Sequence, residues 1–146
     1  MSQENVEIVK AIQPTGVDLV EYFRDLPQAI AGGGGAADLF SDDVEVVFIP
    51  GSAPGPRLSF SGVEGIRTGW QDWLAAWETY QVENERYIDA DDEVVVLSQV
   101  HARTRHQAVH MKHRGGAVWT FRDGKIARVR FYADEKMALE AAGLSE

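Results

Sequence analysis

The stretch SGVEGIRTGWQDWLAAWETYQVENERYIDADDEVVVL, residues 61–97, changes its hydrophobic period part-way along, and that change decides the fold class. Val63, Ile66, Trp70, Trp73, Leu74 and Trp77 recur at three and four, which places them on one face of an amphipathic helix. Ser61 and Glu64 have the spacing of a capping box at its start. From Tyr80 the period becomes two. It stays two through runs near 80–89, 93–106, 110–122 and 125–133, so this half reads as an antiparallel meander. Asp91 and Asp92 mark one reversal, and Asp123 with Gly124 is the dipeptide favoured where both central turn residues need positive φ.

Working outward, Val44 to Ile49 is rich in β-branched residues and reads as a strand with Val44, Val46 and Phe48 facing inward. Pro50, Gly51, Pro54, Gly55 and Pro56 then exclude a ladder or helix interior and predict a surface loop, a candidate pocket rim. Toward the N-terminus, Ser2 caps a short helix with Val6, Val9 and Ile12, stopped by Pro14, Thr15 and Gly16. Thr15 and Asp18 open a second helix carrying Leu19, Val20 and Phe23, which Pro27 ends. Gly32 to Gly35 lacks the lysine and preceding strand of a phosphate cradle and reads as a connector. At the other end Asp134 caps a last helix, Glu135 to Ala142, which stops at Gly143.

Helices, one strand, a helix and four strands make an α+β domain with helices on one face of a curved sheet. Ala127, Val129 and Phe131 should face the helices together with Ala117, Trp119 and Phe121. The strand 93–106 leaves two choices, Val94, Val96, Ser98 and Val100 inward or Val95, Leu97, Gln99 and His101 inward. A bulge at Gly115 and Gly116 would exchange them.

The 146 residues, 45% hydrophobic and 25% charged, fit a single domain spanning 1–146. A net charge of -9 opposes nucleic-acid phosphates and anionic lipid surfaces, so neither nucleic acid nor membrane is expected as a partner. The absence of cysteine removes disulfides, thiolate zinc sites and cysteine nucleophiles, and favours a cytoplasmic setting. The opening MSQENVEIVK has no apolar run, and nothing approaches the ~20 apolar residues of a membrane span.

The segments SQENVEIV, GVEGIRTGWQDWLAAW, YIDADDEVVVL, VWTFRDGKI and FYADEKMALEAAGL together resemble a SnoaL-like protein of the nuclear transport factor 2-like superfamily. That superfamily also holds ketosteroid isomerases, limonene epoxide hydrolases, scytalone dehydratase and polyketide cyclases. The resemblance implies a cone-shaped, cystatin-like α+β roll, with a curved antiparallel sheet and helices packed on its concave face. It also implies an apolar cavity between them and a homodimer packed through the sheets. Matched position by position, it puts Phe48 where ketosteroid isomerases carry their proton-shuttling carboxylate and Ala117 where they carry the acid that stabilises the enolate. Phe131 falls where limonene epoxide hydrolases orient water. None of the three can transfer a proton, so no catalytic residue is assigned.

The pocket-lining candidates are therefore Phe48, Trp70, Trp73, Ala117, Trp119 and Phe131 as its apolar part, with Tyr22, Asn84, Gln99 and His101 as polar groups able to act. Helical spacing alone reads Trp70, Trp73 and Trp77 as core. His101, His106, His110 and His113 gather around one hairpin, but Arg103, Arg105, Lys112 and Arg114 surround them with no carboxylate between residues 101 and 114. No metal is expected there, nor any cofactor. A basic, solvated hairpin, or a stripe facing the acidic surface of a second copy, accounts for the pattern. Asp89, Asp91, Asp92 and Asp123 sit in turns and Asp72 on the wet face of its helix.

The function expected is binding of a small apolar, cyclic molecule, with isomerase, cyclase or dehydratase chemistry by acid–base groups. The alternative is a non-catalytic homodimeric accessory or interaction protein with a vestigial pocket.

Overall fold

The computed structural model describes residues 2–12, 16–20, 39–49, 58–75, 77–105 and 109–144. The elements, in chain order, are helix α1 (Ser2–Ile12), strands β1 (Val17–Asp18), β2 (Phe40–Ile49) and β3 (Leu58–Ser61), helix α2 (Val63–Leu74), strands β4 (Trp77–Ala90), β5 (Glu93–Thr104), β6 (His110–Arg122) and β7 (Lys125–Tyr132), and helix α3 (Glu135–Ala141). The strands form one sheet in the order β1-β4-β5-β6-β7-β2-β3. Every neighbouring pair is antiparallel except β2 with β7, which run parallel with Phe48 opposite Phe131. The expected α+β class is the observed one. β1 and β3 are two short strands that the sequence reading did not separate from the segments around them. Tyr22, Phe23, Pro27, Gly32–Gly35 and the Pro50–Pro56 segment lie outside the described residues.

The α2 helix begins differently from its sequence signature. Ser61 lies in β3, opposite Glu45. The N-cap is Gly62 at φ 82, with no side-chain cap hydrogen bond. Its N–H donates to Val44 O at 2.7 Å, so a positive-φ glycine joined to β2 opens the helix instead of a capping box. The helix also ends earlier. Trp77 starts β4, and Arg105 donates to Ala75 O at 3.2 Å and to Trp77 O at 3.3 Å across the chain end. A buried strand residue four positions after Trp73 mimics a further helical turn, which is why the periodicity ran one step too far.

Two reversals behave as their residues dictate. Asp123 and Gly124 both take positive φ, 56° and 80°, and Asp91 takes 63°. Asp134 caps α3 by accepting from Lys136 N at 2.9 Å, and Gly143 follows the helix at φ 76. Near the N-terminus Asp18 Oδ1 accepts from both Val20 N and Tyr80 N at 3.0 Å, tying that entry to β4.

The sheet is covered on both faces. On one, α1 and α2 bury Val44, Val46, Phe48, Val94, Val96, Ala117, Trp119 and Val129 with Val6 and Val9. On the other, α3 packs Ala138 and Leu139 on Val95, Leu97, Val118 and Tyr132. This settles the register left open for 93–106: Val94, Val96, Ser98 and Val100 face α1 and α2, and both choices looked apolar because both faces are buried. No bulge occurs at the glycines, which pair in continuous register as Ser98↔Gly115 and Leu97↔Gly116. A Cβ on Gly116 would stand 2.7 Å from Ala138 Cβ, so the glycine is there for helix–sheet approach. The irregularity falls instead between Thr120 and Phe121, leaving Ala127 as the extra residue and putting Ile126, fully buried, in the inner row that alternation gave to Ala127. Among the described residues no helix is long and apolar enough to cross a membrane.

Candidate functional site

The inner face carries two apolar clusters. One centres on Phe48, and the other gathers Leu19, Leu74, Trp77, Tyr80, Val82 and Val100; Trp70 and Trp73 pack against both. Where they meet lies a cavity of about 60 Å³, lined by the end of α1, Leu19, α2 and strands β2 and β4–β7. Its aromatic wall is built around Phe48. This ring stacks on Phe131 (centroids 5.1 Å, 28° between planes) and on Trp73 (5.7 Å, 26°) and meets Trp70 edge-on at 5.2 Å. Trp119 contacts Phe131 edge-on at 5.9 Å. Such geometries suit ring quadrupoles and hold the wall in place without polar bonds.

Polar side chains at this wall include Tyr80, Ser98, His113 and the indoles of Trp70, Trp73 and Trp119. Ser98 Oγ donates to Asn84 Oδ1 at 2.7 Å. Burial pushes the Tyr80 phenol up to about 12, partly offset by the Trp73 indole N–H, so the hydroxyl is neutral at physiological pH. Both ring nitrogens of His113 are buried without a hydrogen-bond partner among the described residues. Burial lowers the His113 pKa below its ordinary 6.5, leaving a neutral imidazole with one donor and one acceptor.

Of the residues singled out from sequence, Phe48, Trp70, Trp73, Ala117, Trp119 and Phe131 line this cavity. Asn84 is not among the described lining residues, and its Oδ1 accepts from Ser98, which is. Gln99 and His101 alternate with Ser98 and Val100 and so point to the opposite face. There His101 is exposed, and the Gln99 amide can donate to Glu85 Oε2 and accept from Lys112 Nζ, both at 3.3 Å. Tyr22 lies outside the described residues. The histidines part company for the same reason: His113 faces inward, His101 and His110 are exposed, and His106 is not described. Among the described residues no group of three or more His, Asp or Glu could hold a metal ion. The neighbouring cations find their carboxylates at a distance in sequence. Arg114 pairs with Glu85 at 2.7 Å and Glu135 at 2.9 Å, and Arg103 with Glu78 at 3.4 Å.

His113, Tyr80 and Ser98 were not among the candidates. The signal for His113 was available, because stepping back by two from Trp119 and Ala117 passes Gly115 and reaches it. The supposed bulge at Gly115 and Gly116 interrupted that count.

The fold and cavity can now be set beside known proteins. The family model described as a SnoaL-like domain matches residues 23–129. The chain belongs to the SnoaL-like family. No curated protein sequence matches this SnoaL-like domain significantly. Among solved structures it is similar to an NTF2-like protein from Burkholderia xenovorans LB400, with 17% identity, 97% of each chain covered and a TM-score of 0.62. It is also similar to an uncharacterised cystatin-fold protein from Novosphingobium aromaticivorans, with 19% identity, 87% and 96% covered and a TM-score of 0.56. TerC, co-crystallised with polyporic acid, shares 20% identity over 86% of this chain and 94% of its own, with a TM-score of 0.54. At these identities the likeness is one of fold, and it confirms the ketosteroid isomerase- and NTF2-like architecture for this SnoaL-like domain.

Proposed function

We propose that this SnoaL-like domain binds a small, mainly apolar, cyclic compound in the cavity between α1, α2 and the sheet, and acts on it by cofactor-free acid–base chemistry of the isomerase, cyclase or dehydratase type. The observation that carries the reading is an aromatic cavity whose lining includes His113, with both ring nitrogens buried and without a partner among the described residues. Burying such atoms unpaired is unfavourable, and a ligand or ordered water that completes them removes the penalty. TerC, of the same fold, was co-crystallised with a small organic molecule, which is consistent with this use of the architecture.

Size narrows the ligand. At about 60 Å³ the cavity holds a few waters, and about 150 Å³ is what holds benzene. Entry of even one ring therefore requires the wall to yield, and a four-ring steroid is disfavoured. A thermal-shift series with single-ring, two-ring and steroid compounds tests this: a saturable rise in Tm is expected for the single rings first. No rise with any of them rejects the reading.

A second reading has its own observation. At the three positions where the resemblance places proton-handling groups, Phe48 and Phe131 stack on each other and Ala117 has none. A homodimeric accessory protein needs no such groups. It predicts a stable dimer in sedimentation together with a thermal-shift series that returns nothing.

A further inference from the structure

Tyr80 reaches the cavity from β4. It pairs with Ala102 as Val82 pairs with Val100, so Tyr80 and Val82 share the inner face, and both line the cavity. The ring is pinned. Asp18 Oδ1 accepts from the Tyr80 backbone N–H at 3.0 Å, and Trp70 and Trp77 meet the ring edge-on with centroids 6.2 Å and 5.4 Å away. The residue is 4% exposed. Its hydroxyl can accept one hydrogen bond and donate another. The Trp73 indole N–H takes up the accepting side. The donating side is left over: among the described residues nothing accepts the phenol proton, whereas Ser98 Oγ, on the same face, has its acceptor in Asn84 Oδ1 at 2.7 Å.

An enclosed O–H without an acceptor is unfavourable, and a ligand that supplies the acceptor recovers the loss. Burial holds the phenol up to about 12, so it carries that proton throughout the physiological range. The acceptor has to be neutral, because a carboxylate would lose its hydration with no cation among the described lining residues to replace it. It also has to bring no proton of its own. An alcohol would need a further acceptor, whereas a carbonyl oxygen only accepts. We infer that the cavity selects small single rings bearing a neutral carbonyl, and that Tyr80 sets this preference by donating its O–H to the carbonyl oxygen. This rests on the ligand-binding reading above and names its substrate class. The indole N–H on the phenol oxygen strengthens the donor, since a hydrogen bond accepted polarises the O–H that makes the next one.

The test is calorimetric titration of the intact chain and of Tyr80→Phe with cyclopentanone and methylenecyclopentane, rings of one size and shape that differ in carrying C=O or C=CH2. The ratio of the two affinities is compared between the proteins, so that the unequal hydration of the free ligands cancels. Tyr80→Phe should lower the affinity for the ketone relative to the hydrocarbon about fivefold to tenfold, the effect of one good hydrogen bond, and leave the hydrocarbon bound. A measurement on wild type alone guards against a variant that does not fold: the ¹³C resonance of carbonyl-labelled cyclopentanone should move to higher frequency on binding, as it does when a ketone accepts a hydrogen bond. An unchanged ratio, as when an ordered water keeps the phenol proton, or an unmoved carbonyl resonance on bound ketone would each overturn the inference while the cavity reading stands. No binding of either ligand to wild type overturns both.

Discussion

His113 and Val100 form a directly opposed pair across β5 and β6, and both side chains belong to the cavity wall. An imidazole held beside a valine in this way loses hydration when charged. Among the described residues that line the same cavity, Trp73 on α2, Tyr80 on β4 and Ser98 on β5 included, there is no carboxylate to compensate. Its pKa is therefore lower folded than unfolded, where it is near 6.5. Below 6.5 the unfolded chain takes up a proton that the folded chain refuses, so this stability is present above 6.5 and declines as pH falls toward the folded value. Melting curves from pH 7.5 to 5 should show wild type losing more Tm than His113→Gln. Parallel declines would mean the imidazole is solvated.

Tyr80 gives the mirror case at alkaline pH. With its phenol pushed up to about 12, the folded chain keeps a proton that the unfolded chain releases above about 10. Its stabilising contribution is full below 10 and falls as pH rises from there toward 12. Spectrophotometric titration at 295 nm should resolve one tyrosine that ionises late, together with or after unfolding, and Tyr80→Phe should remove that phase.

Gly69 admits Phe48 to the surface of α2. A Cβ there would collide with Phe48 Cε1 and stand 3.0 Å from Phe60 Cδ1. Alanine has the better helix propensity by about 1 kcal/mol, yet overpacking against a fully buried ring should win, and Gly69→Ala is expected to lose about 1–3 kcal/mol net in urea denaturation. Phe48→Leu combined with Gly69→Ala should cost less than the two losses added, since the shorter side chain vacates the collision. Strict additivity would show that the two sites do not meet.

Glu93 joins Arg130 and Thr120 beside the α3 face. Its Oε2 accepts from Arg130 Nη2 and from Thr120 Oγ1, both at 2.9 Å, with the Arg and Glu side chains only 14% and 20% exposed. Glu93→Gln leaves a nearly enclosed guanidinium short of its partner and should cost about 1–3 kcal/mol, with weak salt dependence. Arg128 and Glu45, 4.0 Å apart and 42% and 51% exposed, are the control, and Glu45→Gln should stay within about 0.5 kcal/mol.

Much of this architecture was legible in residue patterns because local physics alone sets it. The change from helical to strand period ahead of Tyr80, the Asp123-Gly124 turn and the Asp134 cap depend on neighbours a few positions away, and the structure has all three. The inward row of Ala117, Trp119 and Phe121 and the aromatic lining were legible for the same reason. What failed was whatever required knowing what lies across space. Ser61 and Glu64 had the spacing of a cap, but Gly62 is drawn onto Val44 and opens the helix in their place. The carboxylates that answer Arg103 and Arg114 come from Glu78, Glu85 and Glu135, outside the window in which the basic hairpin was read.

The sequence by itself determined that a helical half feeds a meander around an aromatic interior, because periodicity is a property of the chain. Only the tertiary structure decided which polar groups enter that interior. Strand β5 is apolar on both sides because α3 covers the second face, so its alternation carried no sign, and the packing of Ala138 against Gly116 supplied it. With that sign fixed, Gln99 and His101 turn outward and His113 turns in.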